Sequence, residues 1–357
     1  MASLEVGIVG LPNCGKTSLF NALTGSSAEI TSYAAVQTSA NVGIAGVPDE
    51  RIPLLAEAVS SQVQMLASCQ FADVSGLVRG AGAKDGLGGE FLSNLRATDA
   101  LCHVVRCFED DTVLHPEGRI DPVEDAAAVD LELVLSDSSL VERRKERVER
   151  QVRVGEKAAV AVLASLEKLA AHLNDGLPAR TFDGPIDDEL DLLTSKPVVY
   201  VANVSEDGDA DRVAALEAYA KEHGAEVVPV AAKFEAELAE LPEEERADFL
   251  ADLGLDEPGM PRVARACYRT LGLITFFTVG PKEARAWPLR KGLNAQEAAG
   301  KIHSDIARGF IRAEVIGWKD LVECKTHTEA TKRGLQRVEG KEYTVADGDV
   351  LNIRFNV

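Results

Sequence analysis

The hydrophobic positions of this chain fall into two periods. Leu4–Val9 is a short apolar run of the kind a buried strand makes, and a glycine-rich turn and a helical stretch from Thr17 to Leu23 follow it. Phe71–Val74, Leu101–Phe108, Val198–Ala202 and Val227–Val230 repeat the apolar run, with helical segments between them. Such alternation predicts an α/β fold around a mostly parallel sheet. One stretch breaks it. From Pro122 to Leu173 apolar residues recur at helical spacing with Gly155 as the sole glycine, which predicts two long helices folded as an antiparallel hairpin insert over about 122–195. From Leu273 the pattern changes again. Strands are expected at 274–278, 310–316, 342–345 and 350–356, with one helix over 295–306.

Composition narrows the class. The 357 residues carry a net charge of −20 and 46% hydrophobic residues, too apolar for disorder and too acidic for a general nucleic-acid coat. Residues 274–357 hold 14 basic against 11 acidic side chains, so the acidity sits in residues 1–273. Two domains are expected, 1–273 and 274–357. No apolar run reaches the roughly 18 residues of a membrane span. The first residues lack a signal-peptide pattern, and the six cysteines have no framework spacing. A cytoplasmic protein with no membrane partner is expected.

The chemistry begins at Gly10. Gly10-Leu-Pro-Asn-Cys-Gly-Lys16-Thr17 matches G-x-x-x-x-G-K-[ST] between a strand and a helix. Glycines let backbone N–H groups face phosphate oxygens, and the helix N-terminus adds positive potential. Asn13, Cys14, Gly15, Lys16, Thr17 and Ser18 are the expected phosphate-binding residues, Lys16 reaching the β- and γ-phosphates and Thr17 a Mg²⁺ ion. Cys14 is not needed for that chemistry, though a redox role is open. Asp73-Val-Ser-Gly76 ends the next strand. Asp73 would hold Mg²⁺ through water, and Gly76 would sense the γ-phosphate. Leu77 stands where Ras-like enzymes place the glutamine that orients water. Hydrolysis must then be slow, use another group, or need a partner. Gly80–Gly89 is glycine-rich and suits a loop that orders on the γ-phosphate.

Asn203-Val-Ser-Glu206 follows a later strand where guanine-binding enzymes read Asn-Lys-x-Asp. Glu206 is one methylene too long for guanine, whereas an asparagine can pair with the N6/N7 edge of adenine. ATP is therefore favoured over GTP, with Pro229–Lys233 as a base-side loop. Val141–Arg153 carries six basic and three acidic residues, as an ion-paired helix face or as a surface for RNA. Cys102, His103 and Cys107 lie on an apolar strand and read as core.

These motifs, together with His103-Val-Val-Arg-Cys-Phe-Glu109, Leu273–Trp287 and Asp347–Val357, resemble the YchF/Obg-like ATPase family over nearly the whole chain. The resemblance implies a translation-factor-class P-loop G domain that prefers ATP, a helical hairpin insert, and a C-terminal β-grasp (ubiquitin-like) TGS domain. It implies a monomeric ribosome-associated ATPase that acts as a slow Mg²⁺-dependent switch linked to translation or stress, with RNA contact possible. It also implies His115 as catalytic substitute for the missing glutamine, beside Lys16. The alternatives are an Obg-type GTPase and a nucleotide-gated adaptor with negligible turnover. The switch segment departs from the family pattern. Gln37 occupies the position of the usual Mg²⁺-reaching threonine, and Thr38 sits one place later.

Overall fold

A computed structural model describes residues 4–25, 41–74, 86–206, 208–242, 245–246, 250 and 257–356; the side chains of 86–90 and 239–240 are not among those described. In chain order the elements begin β1 (Glu5–Val9), α1 (Lys16–Thr24), β2 (Asn41–Val47), α2 (Arg51–Val59), β3 (Val63–Met65), β4 (Ala67–Asp73), α3 (Gly86–Arg96) and β5 (Ala100–Arg106). Next come α4 (Pro122–Arg153), α5 (Lys157–Asn174), β6 (Val198–Asn203), α6 (Ala210–Glu222), β7 (Glu226–Val230), α7 (Ala232–Glu240) and α8 (Gly259–Thr270). The chain ends with β8 (Leu273–Val279), β9 (Glu283–Arg290), α9 (Ala295–Ile302), α10 (Ser304–Arg308), β10 (Phe310–Gly317), α11 (Trp318–Cys324), α12 (His327–Lys332), β11 (Arg337–Glu339) and β12 (Asp349–Phe355).

Two compact units result: Leu4–Gly43 with Gln70–Cys267, and Ile44–Cys69 with Tyr268–Val357. In the first, β4, β1, β5, β6 and β7 lie side by side, all parallel. β5 and β6 are buried at every position, as strands covered on both faces must be. Register places Ile8 beside Asp73 and Cys102, and Arg106 beside Asn203. The strand ends therefore converge on one rim, where open α/β sheets bind ligands.

The long helix α4 starts cleanly. Asp121 accepts from the Val123 and Glu124 N–H groups, and Pro122 fills the first helical position. Acidic residues sit in its first turn and arginines in its last, both complementing the helix dipole. Val134, Val141 and Val148 pack on Leu166, Leu169 and Leu173 of α5, forming the expected helix pair. Three buried carboxylates fix α4 to its surroundings: Asp125, Asp130 and Asp137. Asp137 accepts from the backbone N–H of Leu193 and of Thr194 and from the Thr194 hydroxyl, at 2.7–3.0 Å. In the basic segment, Lys145 pairs with Glu142, Arg153 with Glu149, and Arg144 and Arg147 with Glu189. Four of its six cations are thus neutralised locally.

In the second unit the sheet runs β11-β10-β12-β8-β9-β3. β8 and β12 are parallel neighbours, each with an antiparallel partner on its other side, a β-grasp arrangement. Phe276, Leu289, Val315 and Leu351 form its core with Ala295 and Ala298 of α9. β3 adds to the β9 edge in parallel register from more than 200 residues upstream. Two expectations need correction. Residues 342–345 form an isolated bridge, Asn294 to Thr344, rather than a strand. The 295–306 helix breaks at His303, whose extended backbone ends α9 and whose side chain caps α10.

Candidate nucleotide site

The loop between β1 and α1 is shaped by positions that tolerate no side chain. Gly10 has φ +152°, and a Cβ there would lie 2.3 Å from the Val104 carbonyl oxygen. Gly15 has φ +99°, and its Cβ would lie 2.2 Å from Asn203 Nδ2. Both glycines are therefore required by fit as well as by backbone freedom. Lys16 Nζ donates to the Gly10 and Leu11 carbonyls at 3.0 and 2.8 Å, curling over the loop it serves. Cys14 is buried, and burial pushes its thiol up, away from the reactive thiolate.

Thr17 Oγ1 donates to Asp73 Oδ2 at 3.1 Å. Asp73 is 1% exposed, and its other oxygen, Oδ1, has no hydrogen-bond partner among the described residues. Burial pushes the carboxyl up, while Lys16 and the Thr17 hydroxyl draw it back in part. A buried carboxylate oxygen without a donor is costly and suits a cation.

Asn203 is a hub of the rim. Its Nδ2 donates to the Cys14 carbonyl at 2.9 Å, and its Oδ1 accepts from the Ala232 N–H at 3.0 Å. Its own carbonyl accepts from the Cys107 and Phe108 N–H groups. The side chain expected to face a base thus ties the phosphate loop to the start of α7. Glu206 lies exposed beyond β6.

The loop that carries His115 reaches the phosphate loop. Asn13, at φ 60°, donates through Nδ2 to the Leu114 carbonyl at 3.0 Å. A small cavity lined by Leu11, Cys14, His103, Arg106, His115 and Asp125 lies behind the loop. His115 Nε2 is 2.7 Å from Asp125 Oδ2, and Nδ1 accepts from the Glu117 N–H at 3.1 Å. Both side chains are nearly buried. Arg106 holds this loop in place by donating to the carbonyls of Phe108, Asp110 and Val113 while its guanidinium stacks over the Phe108 ring. Sequence reading singled out neither Arg106 nor Asp125. A lone arginine at the end of an apolar strand was the available signal for the first. Gln37, Thr38, Gly76, Leu77 and the Gly80–Asp85 part of the glycine-rich segment lie outside the described residues.

His103 faces the core, with Nδ1 3.7 Å from Asp130 and its ring 5.0 Å from that of Tyr200. Cys102 and Cys107 are fully buried. Among the described residues no helix is long and apolar enough to cross a membrane.

Comparison with known proteins agrees with this geometry. Residues 5–141 match the family model described as 50S ribosome-binding GTPase, and residues 273–356 match YchF-GTPase_C, described as a protein of unknown function. The protein called Ribosome-binding ATPase YchF of Bacillus subtilis is 45% identical, covering 99% of this chain and 100% of its own length. The protein of the same name from Escherichia coli O157:H7 is 44% identical, with 99% of each chain covered. A solved Schizosaccharomyces pombe structure, titled YchF GTPase, superposes with a TM-score of 0.85 at 32% identity, covering 99% of this chain and 98% of that one. Identity at this level along the full length, together with the superposition on that structure, shows that the chain belongs to the YchF family.

Proposed function

We propose that this chain is a ribosome-associated ATPase that hydrolyses ATP to ADP and phosphate as a slow switch. One observation carries the reading most: Lys16, Thr17 and Asp73, from two neighbouring strand ends, form one charged cluster around an unpartnered buried oxygen. The amides of Gly10–Thr17, with Asn13, Cys14, Gly15 and Ser18, would cradle the phosphates, and Lys16 would exchange its loop carbonyls for phosphate oxygens. Thr17 and Asp73, the latter through water, are the residues that would hold Mg²⁺; Thr38 is the further candidate. Bound there, the ion would neutralise charge on the phosphate oxygens. Gly76 would sense the γ-phosphate. Asn203 and Glu206 would line the base, Asn203 chiefly by fixing the two loops that flank it. His115 is proposed as the group that directs water, since Leu77 cannot.

The curated relatives are named ribosome-binding ATPases, which supports the ribosome as partner and a cytoplasmic setting. We read residues 1–273 as the G domain with its hairpin insert over about 122–195, and 274–357 as a TGS domain. A monomer that contacts RNA through the ribosome fits this reading.

A GTPase reading has one observation behind it. Both functional ends of the Asn203 amide are already engaged within the chain, so this residue discriminates adenine less than its sequence context implies. Calorimetric titration with ATP and with GTP, each with Mg²⁺, separates the two. ATP binding about tenfold tighter, roughly 1.4 kcal/mol, is expected. Equal or GTP-favoured binding overturns the specificity. Lys16→Ala should weaken ATP binding by about 100-fold; unchanged affinity would remove the site assignment.

A further inference from the structure

We infer that Asp125, in the first turn of α4, is the positioning residue for His115, setting its tautomer and the orientation of its ring. The inference rests on the proposed role of His115 and extends it to a second residue.

The hydrogen bonds fix the proton. Nδ1 accepts the Glu117 N–H, so its lone pair points there and the ring proton sits on Nε2, donated to Asp125 Oδ2 at 2.7 Å. A buried carboxylate behind an imidazole stabilises the imidazolium that forms when the far nitrogen takes a proton. That nitrogen is Nδ1. It is held by one hydrogen bond of 3.1 Å, the weaker of the two, on an exposed stretch of loop. Release of the Glu117 N–H frees that nitrogen for a water molecule.

Asp125 is not the residue that α4 depends on for its cap or for its anchoring. The start of α4 is already capped by Asp121 and Pro122. The helix is also anchored by Asp130 and Asp137. Burial pushes the Asp125 carboxyl up, with His115 and Arg119 opposing that push. A third buried carboxylate costs free energy without a charged or hydrogen-bonded partner, and His115 is that partner. The other groups around the pair are Cys14 from the phosphate loop, His103 and Arg106 from β5, and Glu117, Arg119, Asp121 and Glu124 from the loop and the start of α4.

In the reaction, water gives a proton to Nδ1 and its oxygen bonds to the γ-phosphorus. The bond from that phosphorus to the β–γ bridging oxygen breaks, and its electron pair leaves on ADP. The imidazolium then returns the proton to the phosphate formed.

The test is the pH dependence of ATP turnover in the full chain, with ATP affinity measured in parallel. Asp125→Asn should lower the plateau kcat by about tenfold or more and leave the ATP Kd within about threefold. It should also move the acid limb of the kcat profile to lower pH, because a neutral neighbour no longer favours the imidazolium. Asp125→Glu should recover part of the rate and restore the limb. A slower Asp125→Asn enzyme with an unmoved limb overturns the inference, as does an unchanged rate. Should His115→Ala leave turnover unchanged, the underlying reading of His115 fails instead. Nitrogen NMR of the His115 ring in the unmutated protein supplies a readout independent of folding defects. A protonated Nε2 and bare Nδ1 are expected, and the reverse tautomer overturns the assignment.

Discussion

Asp73 and Asp130 are both buried carboxylates of the same compact unit, and their surroundings are opposite. Asp130 accepts from the Tyr200 hydroxyl at 2.5 Å and the Tyr219 hydroxyl at 2.8 Å, with Arg180 at 3.9 Å and His103 at 3.7 Å. Burial pushes its carboxyl up, yet His103, Arg180 and Tyr200 outweigh that push and hold it down at about 2. Among the described residues Asp73 has one hydrogen bond, from Thr17, and one oxygen with none, and burial leaves its carboxyl raised. The first carboxylate is complete within the chain and contributes to the fold. The second has an oxygen that no donor among the described residues reaches. Burial alone does not mark a functional acid; the count of donors around it does.

The sharpest way to break this comparison is truncation. Asp130→Ala should destabilise the protein by about 4 kcal/mol, because it strands Arg180 and two tyrosine hydroxyls in the core. Asp73→Ala should leave urea stability within about 1 kcal/mol or raise it, since a poorly paired buried charge is removed, while abolishing the Mg²⁺ dependence of ATP binding. Equal losses in urea melts would void the distinction. Acid sensitivity comes next. A carboxyl held at about 2 when folded and near 3.9 when unfolded contributes stability that is fully present above about pH 5 and is lost as pH falls toward 2. The contribution is about 2–3 kcal/mol, and Asp130→Asn should remove that part of the acid slope. A slope that survives the substitution would place the acid sensitivity elsewhere. The smallest effect is expected from Tyr219→Phe. Loss of one donor to Asp130 should cost about 1–2 kcal/mol and leave ATP affinity unchanged.

The phosphate loop was legible because its chemistry is contiguous: Gly10, Gly15, Lys16 and Thr17 must follow one another to wrap one phosphate. Asp73 was legible by its strand-end position after that loop. Asp130 was not, because its donors, Tyr200 and Tyr219, come from 70 and 89 residues away, and no local pattern pairs them. The same holds for β3, whose side-by-side partner is β9. Residues 342–345 alternate like a strand, yet turns at both ends leave room for a single bridge at Thr344. Asp125 hid for another reason. An acidic residue in a first helical turn is so well explained by the helix dipole that nothing asks for a second role.

The three carboxylates of α4 also have a mechanical meaning. Asp125, Asp130 and Asp137 clamp about 18 Å of the helix, and about 24 Å projects beyond Asp137 to Arg153. A beam clamped over one length and braced by a parallel strut over the rest, as α5 braces α4 at Val141 and Val148, bends most where the clamp ends. That edge is Asp137, and the next residues are Ser138 and Ser139. The Ser139 hydroxyl donates to the Leu135 carbonyl at 3.0 Å, a bond that softens a helix against bending. A load on the far end of the hairpin is therefore taken up at Asp137 and the two serines. The His115–Asp125 pair lies at the opposite end of the clamp.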